Sequence, residues 1–299
     1  MSEYNEDSFI IGTMTYSFSR LNSFYTCPYE WHRVYIDCDE KDNSAMAQFG
    51  SLMHSILEKY IKGELEVFEL SQYYMDHFND AVTYDFPPNK YIDMRQKYYD
   101  SGLDYLDNID LDLSGYEILG VEKKVEFKIN KYDCIGFIDL LLQDKKSGEI
   151  IILDHKSASI GVLKSGKIAK KDREHFDQFK KQLYLYAKPV IQEYGRVDKL
   201  KWNMFRDQKY IEIPFDQKEY EESLQWAENT IKLIEAETEW GLNQEFVKAR
   251  EEDKYPPFYC MNLCSQRYHC SEKYAHLEHL RFVDRVEGFG DESVLEYAT

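Results

Sequence analysis

One apolar run that ends in charged side chains constrains the fold of this chain more than any other feature. Residues 150–153 read Ile-Ile-Ile-Leu, and Asp154 and Lys156 follow almost at once. A run without alternation between apolar and polar residues is typical of a strand that is covered on both faces. It therefore predicts a central strand between two layers, with two ionisable residues where the strand ends.

Four further strands are predicted around this run. The patterns place strands at residues 116–129 and 132–143, and extend the run itself to 149–156. Short polar turns separate these three segments, so they should form an antiparallel meander. Residues 197–206 and 209–214 are predicted as two more strands. The chain therefore supplies five strands for a sheet.

Helical patterns lie on both sides of these strands. Helices, a mixed sheet and more helices indicate an α/β (α+β) sandwich, with a helical insertion and a cysteine-bearing lobe formed by both chain ends. The residues before Ser17 are expected to be irregular, and those after 240 to form a loop and an acidic tail of low order. The predicted helices are a short one after Ser17, a second from Pro28 to about Val34, and longer ones at 45–62, 67–81, 90–106, 172–194 and 216–240.

The same patterns predict how the chain is organised. No apolar run approaches the ~18 residues that cross a bilayer, and no basic start followed by an apolar run opens the sequence. We therefore expect a cytoplasmic protein with no membrane partner. The expected parts are an N-terminal segment of the cysteine lobe at 1–43, a helical region at 44–110, the core at 111–240, and the rest of the lobe with the acidic tail at 241–299.

Asp139 and Asp154 are equally distant from the middle of the turn at 145–148. In a regular hairpin they would face one another with Cβ atoms roughly 5 Å apart, and Lys156 would share the face of Asp154. Burying these charges costs several kcal/mol, which a shared divalent cation would offset. A simple ion pair between Asp154 and Lys156 is the alternative.

The charge of the chain is unevenly distributed. A net charge of −18 argues against general affinity for nucleic acid. Residues 156–188, however, hold nine Lys or Arg against three acids. That segment could follow a phosphate backbone, and a solvated loop and helix face is the alternative. The candidate phosphate-binding residues are Lys164, Lys167, Lys170, Lys171, Arg173, Lys180 and Lys181.

Three of the six cysteines lie close together near the C-terminus. Cys260, Cys264 and Cys270 follow a Pro-Pro pair that predicts an irregular loop, where metal ligands commonly lie. A reducing cytoplasm makes disulfides improbable, so these thiols are either free or bound to metal. Cys38 and Cys134 have the pattern of ordinary thiols.

Five motifs in order resemble the PD-(D/E)XK nuclease superfamily, specifically its RecB-type exonuclease branch. The resemblance spans about residues 15–270, and two of the five motifs lie on the predicted hairpin. The motifs are the segment 15–35 with Ser17, Cys27-Pro28 and Trp31, then Gly50-x-x-x-His54, Gly136-Phe137-Ile138-Asp139, Ile152-Leu153-Asp154-His155-Lys156-Ser157 and Gln182-x-x-x-Tyr186.

This resemblance implies a restriction-endonuclease-like core and metal-assisted hydrolysis of phosphodiester bonds in DNA. Lys156 would orient or help deprotonate the attacking water, and Gln182 and Tyr186 would position that water or the strand. Glu122 and Glu126 are candidates for a further acid, with an exposed strand face as the alternative for each. The implied ligands of Mg²⁺ or Mn²⁺ are His54, Asp139, Asp154 and the backbone carbonyl of His155.

An iron-sulfur subset of this branch joins one N-terminal cysteine to three near the C-terminus. The resemblance therefore implies a 4Fe-4S cluster on Cys27, Cys260, Cys264 and Cys270. Zinc is an alternative, bound by four thiolates or by a mixed site with His32 or His269, and a site without metal also stays open.

The resemblance also implies partners and a cellular role. DNA, single-stranded or with free ends, is the expected substrate in DNA processing, recombination or repair. Protein partners would belong to a recombination, replication or CRISPR adaptation complex, and phage genome processing is a further setting. The alternative is an inactive nuclease-fold protein whose acidic surface binds a partner or mimics DNA, although Asp139, Asp154 and Lys156 are all present.

Overall fold

A five-stranded mixed sheet forms the centre of the molecule, in a computed structural model that describes residues 6–287 and the side chains of 7–282. The strand order follows the chain. Neighbouring strands are antiparallel except the third and fourth, which are parallel. The predicted meander and mixed sheet are therefore confirmed. The strands are β1 (Tyr116–Ile129), β2 (Tyr132–Asp144), β3 (Ile150–Lys156), β4 (Lys199–Met204) and β5 (Lys209–Pro214).

The third strand is buried on both faces, as its apolar run predicts. Each residue from 150 to 155 exposes 3% or less of its surface. Ile150 and Ile152 pack into one hydrophobic cluster, whereas Ile151 and Leu153 pack into another on the opposite face. Removing each such side chain from water contributes about 1.5–3 kcal/mol, so β3 anchors the sheet.

Ten α-helices surround the sheet in the described residues. Ser17 caps the second of them by accepting a hydrogen bond from the Arg20 amide, and Pro28 opens the third, both as predicted. The helices are α1 (Glu6–Gly12), α2 (Phe18–Thr26), α3 (Pro28–Tyr35), α4 (Ala45–Ile61), α5 (Leu70–Ala81), α6 (Met94–Asp107), α7 (Arg173–Tyr194), α8 (Gln217–Ala236), α9 (Gln244–Glu251) and α10 (Ser271–Glu287).

Two helical layers enclose the sheet. On one face, α7 and α8 pack with α2 around a large core that includes Leu183 and Ile231. On the other side, α4, α5 and α6 share a second core that includes Phe49 and Tyr74. This α+β arrangement agrees with the predicted fold class and leaves one end of β3 between α4 and α7.

Two segments are more regular than the sequence suggested. Helix α1 occupies the start expected to be irregular, and α9 and α10 occupy much of the segment after residue 240. The buried positions of α10 are Lys273, His276 and Leu280, so a search for apolar periodicity misses this helix. The predicted acidic tail beyond 287 lies outside the described residues. No helix in the described range is long and apolar enough to cross a membrane.

Candidate active site and cysteine cavity

Three carboxylates lie in one row across the first three strands. The pairs Val121 with Leu140 and Lys123 with Ile138 bracket a position where Glu122 faces Asp139. The paired residues of β2 and β3 end at Leu140 with Leu153, one step before Asp139 and Asp154. Burial raises the pKa of Asp154, and the Asp139 charge lies near enough to raise it further. The predicted juxtaposition of the two aspartates therefore extends to a third acid on β1.

On β1 and β2 the regular alternation of side chains between the two faces of the sheet is interrupted at the row. Ile138 and Leu140 are two residues apart, yet they pack into clusters on opposite faces of the sheet. On β1 the backbone of Glu122 has a φ of 47°, a left-handed conformation that residues with a Cβ rarely adopt. Such strain persists where the surrounding structure holds it, and it concentrates at functional sites.

Helix α4 brings an imidazole to the row. Nδ1 of His54 lies 3.5 Å from Oδ2 of Asp139. Ligand atoms of His54, Glu122 and Asp139 all lie within 4.8 Å of one another. Burial raises the pKa of Glu122, and the Asp139 carboxylate raises it further. Two crowded carboxylates beside an imidazole are a donor set that suits Mg²⁺ or Mn²⁺, so these residues fit the implied ion.

Gly50 explains how α4 approaches the sheet so closely. A Cβ at this position would lie 3.3 Å from Oγ of Ser157, just beyond the end of β3. The glycine therefore lets the helix axis come near the strand end, and His54 follows one turn later on the same face.

Asp154 lies outside that three-residue group and forms an ion pair. Its Oδ2 is 2.8 Å from Nζ of Lys156, as the simpler reading of the sequence expects. Burial raises the pKa of Asp154 despite this contact. Lys156 also donates a hydrogen bond to Oε1 of Gln182 at 2.9 Å, and its ammonium lies 5.0 Å from the centre of the Phe179 ring. The lysine head is thus held on three sides.

Helix α7 supplies the other wall of the site. Phe179, Gln182 and Tyr186 follow one another at helical spacing on the face that meets β2 and β3. Burial raises the pKa of Tyr186 to about 12, and its hydroxyl interacts with Gln182 and with the backbone of Phe137. Phe179 is a residue that the motif comparison omitted, although the same spacing could have identified it.

The ring of Tyr186 lies so close to position 136 that only glycine fits there. A Cβ at position 136 would lie 2.2 Å from Cε1 of that ring, inside any possible contact distance. We expect Gly136→Ala to lower the free energy of unfolding by about 1–3 kcal/mol, because the ring must shift and α7 with it. Denaturant titration measures the loss. Gly115→Ala, where a Cβ meets open space, is the matched control, and equal stabilities of the two variants would contradict the steric explanation.

His155 contributes its backbone rather than its ring to the row. Its amide donates a hydrogen bond to Oδ2 of Asp139 at 2.7 Å. Its ring is buried, with Nδ1 3.0 Å from Nδ2 of Asn203, which in turn donates to the hydroxyl of Tyr105 at 2.6 Å. Burial lowers the pKa of His155 to about 4, so the ring stays neutral. Asn203 was missed, although a polar residue inside a buried strand is a signal.

The basic candidates fall into two sets. Lys180 pairs with Asp177 and Glu219, so its charge is neutralised locally. Lys181 lies over the rings of Tyr25 and Trp226, on the side of α7 that packs toward α2 and α8. These two were expected to face a phosphate backbone, and their local partners argue against that. The residues that stay exposed lie in the loop before α7 and its first turn: Lys164, Lys167, Lys170, Lys171 and Arg173.

Four cysteines from the two chain ends line one cavity, namely Cys27, Cys260, Cys264 and Cys270. Burial raises the pKa of the Cys27 thiol to about 11 and of the Cys260 thiol to about 12. Cys38 is exposed and Cys134 is buried beneath the sheet, both away from the cavity.

The four thiols are a donor set for either a zinc ion or an iron-sulfur cluster. Zinc-sulfur bonds of about 2.3 Å hold tetrahedral thiolates about 3.8 Å apart. Among the described residues, no three of the four Sγ atoms lie within 4.8 Å of one another. One zinc ion would therefore require these side chains to move together from the described arrangement.

The sequence matches the family model of the PD-(D/E)XK nuclease superfamily over residues 15–271. No curated protein matches it. One similar solved structure is a "Putative exonuclease" from Eubacterium rectale, with 14% identity and a TM-score of 0.47, over 81% of this chain and 89% of that one. The family match includes the strands and helices that meet at the row of acids and all four cysteines of the cavity, and the chain belongs to the PD-(D/E)XK nuclease superfamily.

Proposed function

We propose that this chain is a Mg²⁺- or Mn²⁺-dependent deoxyribonuclease of the RecB-type exonuclease branch. One observation carries the proposal: Glu122 and Asp139 converge with His54 at the end of β3, beside the Asp154 and Lys156 pair. A structural ion pair alone would need neither the strained backbone of Glu122 nor a second and third carboxylate.

The proposed metal ligands are His54, Glu122 and Asp139, with Asp154 and the backbone carbonyl of His155 completing the set. The ion would polarise the scissile phosphate and lower the pKa of a bound water. Asp139 is already oriented, because one of its oxygens accepts the His155 amide. Glu122 is an additional ligand from β1, and Asp139 and Asp154 both stay in the proposed set.

Lys156 would orient the attacking water and offset the charge that develops on the phosphate. Its ammonium is held by Asp154, by Gln182 and by the ring of Phe179. Gln182 thus acts through Lys156, and Tyr186 acts through Gln182. Both are positioning residues in this mechanism.

The nuclease assay tests the proposal directly. Purified protein is incubated with end-labelled single-stranded and double-stranded DNA in Mn²⁺, Mg²⁺ or EDTA. We expect degradation in either metal and none in EDTA, with products that shorten progressively from an end. Intact substrate under every condition would instead favour the inactive, partner-binding alternative.

The exposed loop before α7 would contact the DNA backbone. We expect the double change Lys170→Glu and Lys171→Glu to raise the Kd for DNA roughly tenfold and to lessen its salt dependence, since each lost phosphate contact reduces the slope by about 1. Fluorescence anisotropy across a salt series measures both. Lys218→Glu, an exposed change on α8, is the control. Unchanged affinity of the loop variant would place the DNA elsewhere.

We also propose that the four cysteines hold a 4Fe-4S cluster. Their common cavity supports one shared metal group, and the resemblance to the iron-sulfur subset of the family favours a cluster over zinc. The cluster would join the segments 1–43 and 241–299 into one lobe, next to the helical region 44–110 and the nuclease core 111–240. A cytoplasmic role in DNA processing, recombination, repair or CRISPR adaptation is part of the same proposal.

A further inference from the structure

Lys273 is a buried ammonium without a carboxylate partner. Its residue exposes 4% of its surface. Nζ donates a hydrogen bond to the backbone carbonyl of Arg267 and lies 4.6 Å from the centre of the Tyr274 ring. Within the described residues it forms no ion pair. An ammonium removed from water in this way costs several kcal/mol unless an opposite charge lies nearby.

The groups around Lys273 are the cysteines of the cavity. Lys273 lines that cavity together with all four cysteines. Burial lowers the pKa of Lys273, and the charge of a thiolate at Cys270, Cys264 or Cys260 would raise it. The second cation in its surroundings, Arg267, adds positive charge and cannot compensate it. The buried carboxylate of Glu30 also lines the cavity, but it forms no ion pair with Lys273, and its oxygens accept hydrogen bonds from Tyr259 and Ser265.

We propose that Lys273 is the counter-charge of an anionic, thiolate-bound metal group in the cysteine cavity. The inference rests on the proposed metal site and adds a residue to it. Neutral thiols would leave the ammonium without a counter-charge at ion-pair distance. Four thiolates around either a cubane cluster or one zinc ion carry a net negative charge, which the buried ammonium offsets.

Lys273 also separates the cavity from an open groove. The same side chain lines a groove between α10 and the segment before α6, together with Phe86, Pro87, Tyr268 and Leu277. Its side chain therefore lies between the two spaces and contributes packing as well as charge. The two contributions can be separated, because Lys273→Met keeps the stem and removes the charge.

The test uses the full chain with its metal. We expect Lys273→Met and Lys273→Gln to lose metal to a chelator roughly 10- to 100-fold faster than the wild type, as for other groups that support metal ligands. If the metal group is an iron-sulfur cluster, its reduction potential should become more negative. Reduction adds a negative charge to the cluster, and the variants lack the cation that stabilises this charge. Lys273→Arg should retain both properties, and the exposed Lys254→Met is the control.

A second measurement distinguishes charge compensation from packing. In metal-free protein, Lys273→Met should unfold at a higher temperature than the wild type, since a buried uncompensated charge is gone. In loaded protein it should unfold at a lower temperature. Loss of stability in both states would overturn the proposal in favour of a packing role, as would metal retention equal to that of the wild type. Wild-type protein that binds no metal would refute the proposed metal site itself.

Discussion

Asp154→Asn is expected to lower kcat for DNA cleavage by roughly 100- to 1,000-fold while the protein stays folded. The amide keeps the volume of the carboxylate but removes the charge that faces Lys156 and the metal. Lys156→Ala should have an effect of similar size, because the same charge pair is broken. Initial rates at saturating Mn²⁺ measure the change. Turnover near that of the wild type in either variant would show that the centre lies elsewhere.

Metal-free stability should move in the opposite direction from activity. Burial raises the pKa of Asp154, so the folded state favours its protonated form more than the unfolded state does. Above this raised pKa the buried carboxylate destabilises the fold, and that cost disappears as the pH falls through it. Asp154→Asn should therefore match or exceed the wild type in thermal stability at neutral pH without metal. A lower stability would indicate that the ion pair with Lys156 contributes more than burial costs.

Two glutamates of β1 offer a matched comparison, because only one of them belongs to the proposed metal site. Glu122 belongs to the cluster with His54 and Asp139, whereas the Glu126 carboxylate is 68% exposed and pairs with Lys124. We expect Glu122→Gln to weaken Mn²⁺ binding at least about tenfold and Glu126→Gln to leave it unchanged. Isothermal titration calorimetry with Mn²⁺ distinguishes the two. Equal affinities of the two variants would remove Glu122 from the proposed ligand set.

The sequence could not decide between these two glutamates for a physical reason. Alternation along a strand assigns faces only while the strand stays regular, and β1 departs from regularity at Glu122 itself. The hairpin of β2 and β3 was predictable because its turn fixes the register, which sets Asp139 against Asp154. The left-handed backbone of Glu122 interrupts the alternation of side chains along β1. Helices α4 and α7 contact this strand, and a local sequence pattern does not encode such tertiary contacts.

The basic segment shows the same limit. Counting charges identified residues 156–188 correctly as a region rich in Lys and Arg. It could not show that Lys180 is neutralised by Glu219, which comes from the following helix. Nor could it show that Lys181 lies against Trp226. Charge patterns predict which segment is basic, whereas tertiary neighbours determine which of its charges remain available.

The cysteine cavity depends on contacts between residues far apart in the chain. The spacing of Cys260, Cys264 and Cys270 indicated a site, and the family resemblance added Cys27. Glu30 then connects the two chain ends, because its carboxylate accepts hydrogen bonds from Ser265 and Tyr259. These contacts would assemble the lobe around its thiols, and a metal group bound to them would add its binding energy to the fold.

Cys264→Ser and Cys270→Ser are therefore expected to remove both the colour and much of the stability of the lobe. Anaerobically purified wild type should be brown, with broad absorption near about 400 nm from sulfur-to-iron charge transfer. Each variant should bleach and lose roughly 3 kcal/mol, about 5 °C for a chain of this size, because a tie between the two chain ends is lost. Iron analysis, absorption spectra and thermal melts measure these effects.

The other cysteines provide the controls for that experiment. Cys38→Ser should change neither colour nor melting temperature, since Cys38 is exposed and away from the cavity. Cys134→Ser should keep its colour, whereas Cys27→Ser should bleach. Bleaching by Cys38→Ser with colour retained in Cys27→Ser would preserve the cluster and show that Cys38 is the N-terminal ligand. Colourless wild type with one equivalent of zinc would refute the cluster. The hydrolytic centre would survive either outcome, because its proposed ligands lie on β1, β2, β3 and α4, apart from the cysteine cavity.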